Sequence, residues 1–235
     1  MVADPLASIV SGRAGILLDF DGPVCNVFAG LPAPSVARDL ASLVCRLDAS
    51  LAEEVQGVED PMEVHRISQK GGRDLLVRVE DALTQAELAA VEVAGDPVPG
   101  ADEVLFSALS SRRRVAVVSN NSAECVRAFL RRHELEWLVD AVIGRPAYRP
   151  DLMKPSPHLV FQAIEALQNQ PNGCVLVGDS VTDAEAALAA GVGAIGYANK
   201  PHKSAALSAA GADAVITDMG TLGKVLYDDQ LGCCR

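Results

Sequence analysis

Gly15-Ile16-Leu17-Leu18-Asp19-Phe20-Asp21-Gly22-Pro23-Val24 is the stretch from which the fold can be read. Ile16, Leu17 and Leu18 form a short apolar run of the kind that fills a strand buried on both faces. The run stops at two carboxylates, and Gly22-Pro23 then turns the chain. A strand ending in acid and a turn sets both acids at the carboxyl edge of a sheet, where open α/β folds place their ligands. Two carboxylates so close repel each other unless a cation or a proton sits between them. By itself an Asp-x-Asp is equally well an acidic turn without chemistry; the rest of the chain has to decide.

Working outward, the pattern from about Pro32 to Gly95 is helical, without a convincing strand. Val36, Leu40, Leu43, Val44 and Leu47 recur at helical spacing, Asp60-Pro61 reads as an N-cap followed by proline at the first helical position, and Gly71-Gly72 breaks the chain. Leu75, Leu76 and Val79 predict a further short segment, and Thr84 with Glu87 predicts a capping box opening a last helix. Gly95-Asp96-Pro97-Val98-Pro99-Gly100 is the clearest linker. Residues 27–96 are therefore expected to be a helical insertion, with residues 1–26 and 97–235 forming one core domain.

Beyond Gly100, helix and strand alternate. Strands are predicted at Val115–Val118, Asp140–Ile143, Cys174–Val177, Ala194–Tyr197 and Ala214–Ile216, which implies an α/β fold with a doubly wound parallel sheet. Three strands then end in polar residues at one sheet edge: Asp19/Asp21, Ser119/Asn120 and Asp179/Asp183. Phosphoryl transfer to a carboxylate needs such a set. An ionised Asp attacks phosphorus, a second carboxylate carries the proton, and further carboxylates hold a hard cation such as Mg²⁺. A hydroxyl, backbone amides and a lysine bind the non-bridging oxygens. Lys154 is the only lysine between Gly71 and Gly178. Taken singly, Ser119-Asn120-Asn121 also reads as a helix N-cap region and Lys154 as a solvated surface lysine.

The ordered set Asp19-Phe20-Asp21-Gly22-Pro23-Val24, Ser119-Asn120-Asn121, Lys154-Pro155 and Gly178-Asp179-Ser180 with Asp183 resembles the four motifs of the haloacid-dehalogenase-like (HAD) hydrolase superfamily. The insertion resembles the cap of its phosphoglycolate-phosphatase-like branch. The resemblance implies a Rossmann-like core and Asp19 as nucleophile. It implies Asp21 as general acid/base, its backbone carbonyl also reaching the metal. Ser119, Asn120 and Lys154 would lie on the phosphate, Asp179 would be a Mg²⁺ ligand, and Asp183 a ligand or a partner behind one. Pro23 stands where the family commonly has Thr, a change that touches no catalytic role.

The expected activity is Mg²⁺-dependent hydrolysis of a small-molecule phosphate monoester, with the cap closing to exclude water. A sugar-phosphate mutase on the same core, and a non-catalytic binding protein, are the alternatives. In the insertion His65, Arg66, Lys70 and Arg73 surround Gly71-Gly72, and one or two of these, with Arg66, Lys70 and Arg73 the candidates, are expected to face the site and read the distal group of the substrate; Asn26 is a further candidate for the pocket. Gly191, Gly193 and Gly196 match a dinucleotide fingerprint but follow a helix and lead into a strand, so Gly191 is expected to be a helix C-cap.

Composition excludes several other classes. Apolar residues make up 49% of the 235, enough for a substantial core. A net charge of −11 argues against a broad nucleic-acid surface, and Arg112-Arg113-Arg114 reads as the solvated end of a helix. Six scattered cysteines without metal spacing suggest reduced thiols and a cytoplasmic location, with the role of Cys233-Cys234 undecided. No apolar run approaches the ~20 residues that cross a bilayer, so no membrane partner is expected; the oligomeric state is not legible.

Overall fold

The computed structural model describes residues 5–232, so Cys233-Cys234 lies outside the described residues. Its strands are β1 (Gly15–Leu18), β2 (Arg114–Val118), β3 (Ala141–Ile143), β4 (Cys174–Gly178), β5 (Gly193–Tyr197) and β6 (Ala214–Ile216). They form one parallel sheet in the order β3-β2-β1-β4-β5-β6. Helix α1 (Pro5–Val10) precedes β1. Between β1 and β2 stand α2 (Ala33–Leu47), α3 (Ala52–Val55), α4 (Pro61–Ser68), α5 (Arg73–Val93) and α6 (Ala101–Ser110). The later crossovers are α7 (Ala123–Arg132), α8 (His158–Ala166), α9 (Val181–Ala190) and α10 (Lys203–Ala209), and α11 (Met219–Gly232) closes the described chain.

Two apolar layers sandwich the sheet, and the two-residue period of the strands sorts side chains between them. Ile16, Leu18, Val115, Val117, Val175 and Val177 point into one layer, where Phe129 and Leu222 lie. Leu17, Ala116, Val118, Cys174 and Leu176 point into the other, against Leu159, Val160 and Ala187. Because both faces are covered, the strands read as unbroken apolar runs. A third cluster, with Val36, Leu40, Val44, Leu51, Val64, Leu75, Val79 and Leu83, comes from residues 36–83, and Phe28 and Leu31 pack against both it and the first layer. Helix α5 spans from that cluster into the first layer, where Ala90, Val91 and Ala94 are buried.

The capping residues are where the spacing puts them. The Asp60 carboxylate accepts from Met62 N at 2.9 Å and Ser122 Oγ from Cys125 N at 3.2 Å, each satisfying a helix-end donor. Gly191 ends α9 in the left-handed region at φ 71°.

Two expectations fail. Helix α5 runs unbroken over 21 residues, so no helix begins at Thr84. Thr84 Oγ1 instead accepts from Arg145, and the Glu87 carboxylate is buried against the core. A Thr-x-x-Glu spacing opens a helix only where the chain is not already helical; here the buried stripe Leu76, Val79, Leu83 and Ala90 carries the helix through. Arg113 is not solvated either. It is 8% exposed, donates to the carbonyls of Arg13 and Leu226, and pairs with Asp229, tying α11 to the start of β2.

The strand order fixes where a ligand belongs. From β1 the chain winds outward to β2 and β3, then returns to β4 on the other side of β1, so the order reverses at the carboxyl ends of β1 and β4. Leu18 is level with both Val117 and Val177, so Asp19, Ser119 and Asp179 leave three adjacent strands together.

Candidate active site

A cavity of about 230 Å³ opens at this reversal point. Asp19, Asp21, Ser119, Asn120, Lys154, Asp179 and Asp183 all line it from the core, while Asp60, Pro61 and Met62 close it from the start of α4. Seven residues spread over 165 positions of sequence thus meet in one pocket.

Lys154 is the centre of the charge arrangement. Its Nζ donates to Asp19 Oδ1 at 2.7 Å, Asp183 Oδ1 at 2.6 Å and the Val118 carbonyl at 2.9 Å, which uses all three of its donors. It is 2% exposed. Burial alone would lower its pKa, but the carboxylates of Asp183 and Asp19 outweigh burial and keep it a cation. Asp183 is held in turn: its Oδ2 accepts from Ser180 N at 3.1 Å and Ser180 Oγ at 2.6 Å, completing a capping box at the start of α9. Ser180, not Asp183, is the N-cap, and both oxygens of Asp183 are engaged by the protein.

The other three acids each keep one oxygen open. Asp21 Oδ1 accepts from Val27 N at 3.0 Å. Asp179 Oδ2 accepts from Asn199 Nδ2 at 2.8 Å and from Lys203. Asp19 Oδ2, Asp21 Oδ2 and Asp179 Oδ1 accept nothing from the described residues. Carboxylate oxygens of Asp19, Asp179 and Asp183 lie within 4.8 Å of one another. An all-oxygen set with open positions fits a hard divalent cation. Gly22 allows this closeness: its φ is +121°, and a Cβ there would meet Asp179 Cγ at 2.4 Å.

Burial makes two of these acids weaker. Burial, with Asp183 adding to it and Lys154 opposing, raises Asp19 to about 8. Burial also raises Asp21 to about 6, against the hydrogen bond from Val27.

The polar end of β2 is tightly organised. Ser119 Oγ donates to Asn121 Oδ1 at 3.1 Å and accepts from Asn121 N at 3.0 Å. Asn120 spends its side chain on Lys154, accepting from Lys154 N at 2.8 Å and donating to Lys154 O at 3.2 Å. The side chain of Asn120 thus holds the Lys154 loop, which leaves its main-chain N–H as the atom it can offer a phosphate. No described residue accepts from the N–H groups of Phe20, Asp21 or Asn120.

The residues expected to read the substrate are mostly elsewhere. Asn26 lines a neighbouring cavity together with Asn199, Lys200 and Lys203, and only Asp21 and Asp179 border both. Lys70 pairs with Glu54 on the surface, and Arg73 lies over the Tyr148 ring, 5.8 Å from its centroid. Arg66 comes closest, donating to Lys154 O at 3.0 Å and to Glu63 at 3.3 Å, but does not line the cavity. Gly72, at φ 87°, ends the short turn after α4, α5 starts at Arg73, and the basic groups around it take separate partners. Replacing Lys70 or Arg73 by Ala is accordingly expected to leave kcat/KM within about twofold for every substrate; a changed substrate ranking would return them to the site.

One constellation escaped the sequence reading. Arg145, fully buried just after β3, donates to Glu80 Oε1 at 2.8 Å, Glu87 Oε1 at 2.7 Å and the Asn120 carbonyl at 2.9 Å. His65 Nε2 lies 2.9 Å from Glu80 Oε2. Burial would raise the Glu80 carboxyl, but His65 and Arg145 beside it hold it down at about 2. The available signal was positional: Leu76, Glu80, Leu83, Glu87 and Ala90 share one helix face, and carboxylates on an apolar face require buried partners.

Comparison with known proteins agrees with this geometry. Residues 14–191 match the model of the haloacid dehalogenase-like hydrolases. A phosphoglycolate phosphatase of Rhodospirillum rubrum is 29% identical over 222 residues, covering 84% of this chain and 89% of that protein. Among solved structures, a predicted phosphatase from Clostridium acetobutylicum superposes with a TM-score of 0.70 at 17% identity, over 93% of this chain and 100% of that one. A beta-phosphoglucomutase from Clostridium difficile gives 0.68 at 17% identity, over 94% and 99%. At such identities the structures attest the fold alone. Among the described residues no helix is long and apolar enough to cross a membrane.

Proposed function

This chain belongs to the haloacid dehalogenase-like hydrolase family, and from that premise we propose a Mg²⁺-dependent phosphatase that hydrolyses a small-molecule phosphate monoester through an aspartyl-phosphate. The observation that carries this reading is the single cavity that Asp19, Asp21 and Asp179, each with an oxygen that accepts nothing from the described residues, line together with Ser119 and Lys154. The phosphatase names of the relatives point the same way.

In the proposed reaction an Asp19 oxygen forms a bond to phosphorus while the ester oxygen leaves, taking a proton from Asp21. Water then gives a proton to Asp21 and attacks phosphorus, and the bond to Asp19 breaks to release inorganic phosphate. A carboxyl raised to about 6 suits Asp21 to both transfers near neutral pH. Lys154, the Ser119 hydroxyl and the open N–H groups of Phe20, Asp21 and Asn120 stabilise the charge on the phosphoryl oxygens. Asp19, Asp179 and the main-chain carbonyl of Asp21 would hold the Mg²⁺, with Asp183 acting through Lys154. Bound there, the cation supplies positive charge that favours ionised Asp19 and offsets its repulsion from the phosphate.

We assign residues 27–96 as a cap over a core of residues 1–26 and 97–235. The apolar cluster of residues 36–83 supports that division, and closure of the cap would exclude water from the first step. Inorganic phosphate release from a panel of phosphate esters is expected with Mg²⁺ and is lost in EDTA. Silence across the panel would overturn the activity, and an isomerised ester in place of free phosphate would make the protein a mutase.

A further inference from the structure

We propose that Glu87 and Arg145 are positioning residues for the phosphate site: from α5 and from the loop after β3 they hold residues 119–122 in the arrangement that leaves the Asn120 N–H for an anion and fixes Ser119 Oγ, whose hydrogen turns from Asn121 to the anion when one binds. The proposal rests on the reading that this cavity takes a phosphoryl group.

The hydrogen bonds of that loop converge on the pair. Glu87 Oε2 accepts from Ser122 N at 3.0 Å, and Oε1 accepts from Asn121 Nδ2 at 3.3 Å. The amide of Asn121 is thereby oriented with its oxygen towards Ser119, whose Oγ donates to it at 3.1 Å. Arg145 donates to the Asn120 carbonyl from its side chain at 2.9 Å and to the Asn121 carbonyl from its main-chain N–H at 2.8 Å. Ser119 N is bound to Ile143 O and Asn121 N to Ser119 Oγ. Of the four main-chain N–H groups in residues 119–122, only that of Asn120 accordingly has no acceptor among the described residues. Gly144 permits the approach: a Cβ there would meet Ala123 N at 2.2 Å.

Burial of these charges is hard to explain by stability. Arg145 and Glu87 have fully buried side chains, and Glu80 and His65 are buried beside them. Apolar side chains of similar volume commonly pack as stably as a buried ionic cluster. What apolar groups cannot supply is direction, and here the directed bonds reach three successive residues of one loop, Asn120, Asn121 and Ser122, and through Asn121 a fourth, Ser119. Glu87 sits on α5, so the helix that packs in the insertion also shapes the anion site.

The test measures kcat, KM and the inhibition constant of inorganic phosphate, with Mg²⁺, for the wild type, Glu87→Gln, Ser119→Ala and the double variant, alongside thermal melting. Glu87→Gln keeps the shape but removes the charge that orients Asn121 and Ser122. Its phosphate inhibition constant is expected to rise about tenfold, and kcat to fall by a similar factor. In the Ser119→Ala background the same change should cost less than about threefold, because the relay is already cut. Equal costs in both backgrounds, or a lowered melting point with unchanged phosphate inhibition, would overturn the proposal. Should Glu87→Gln not fold, Asn121→Ala, at a residue that also lines the cavity, severs the link from Glu87 to Ser119 and is expected to weaken phosphate to the same degree; an unchanged constant would refute it. A wild type that neither releases nor binds phosphate would overturn the activity itself, and this inference with it.

Discussion

Asp19→Asn is expected to abolish phosphate release, by about 10⁴-fold or more, while the protein still folds. Asparagine has the shape of aspartate, and its oxygen still accepts from Lys154 Nζ, now at 2.7 Å from Asp19 Oδ1. It loses the charge that attacks phosphorus. The exchange also removes one of three acids packed around a common point, so metal-free stability should hold or rise. Steady-state rates on the best ester from the panel, together with melting curves in EDTA, check both halves. A variant with more than about a tenth of wild-type activity would refute Asp19 as the nucleophile. Mass spectrometry of acid-quenched wild-type enzyme should in addition find a phosphoryl adduct on Asp19, absent from the variant.

Lys154→Met has the second large effect, and it strikes stability and activity together. The ammonium is the shared partner of Asp19 and Asp183, and it also donates to the Val118 carbonyl. Removing it leaves two buried carboxylates facing an apolar side chain, a change that typically costs about 3–5 kcal/mol. The effect depends on pH with a definite sign. Burial already holds folded Asp19 near 8 with Lys154 opposing, well above its unfolded value. With the lysine present, folded Asp19 gives up its proton as pH rises through about 8; without it the proton is kept to higher pH, so only the variant goes on losing stability above that value. In EDTA the destabilisation of Lys154→Met should therefore be larger at pH 9.5 than at pH 7, as urea titrations at the two pH values would read. Turnover is expected to drop about a thousandfold or more, since the phosphoryl charge loses the one cationic side chain that lines the cavity among the described residues. Lys154→Arg should not restore it, because a planar guanidinium cannot take the three-way position of an ammonium. Near-normal turnover in either variant would remove Lys154 from the mechanism.

The same residues show what can be read without coordinates. That Asp19, Asp21, Ser119, Lys154 and Asp179 share a cavity was legible because the acids and the serine follow buried apolar runs, Lys154 stands before Pro155 as the one lysine of its region, and strand ends on one sheet edge must converge. The basic residues of the insertion were not. Arg66, Lys70 and Arg73 are close in sequence around Gly71-Gly72, yet they face a carbonyl, a surface glutamate and a tyrosine ring. Proximity along the chain says little about direction where one helix ends and the next begins at a glycine of positive φ. Glu87 was misjudged for a related reason. Its spacing from Thr84 imitates a cap, and only its neighbour across space, Arg145, 58 positions later, reveals its place.

By itself, then, the sequence determined the parallel α/β sheet, the helical insertion and the set of acids at the strand ends, because these follow from local periodicity and from where apolar runs stop. Only the tertiary structure decided which oxygens stay open, that Asn120 holds the Lys154 loop, and that Arg145 and Glu87 organise the Ser119 loop. Periodicity reports which face of an element is buried; hydrogen-bond direction depends on groups brought together by packing from distant parts of the chain, and no local pattern encodes it.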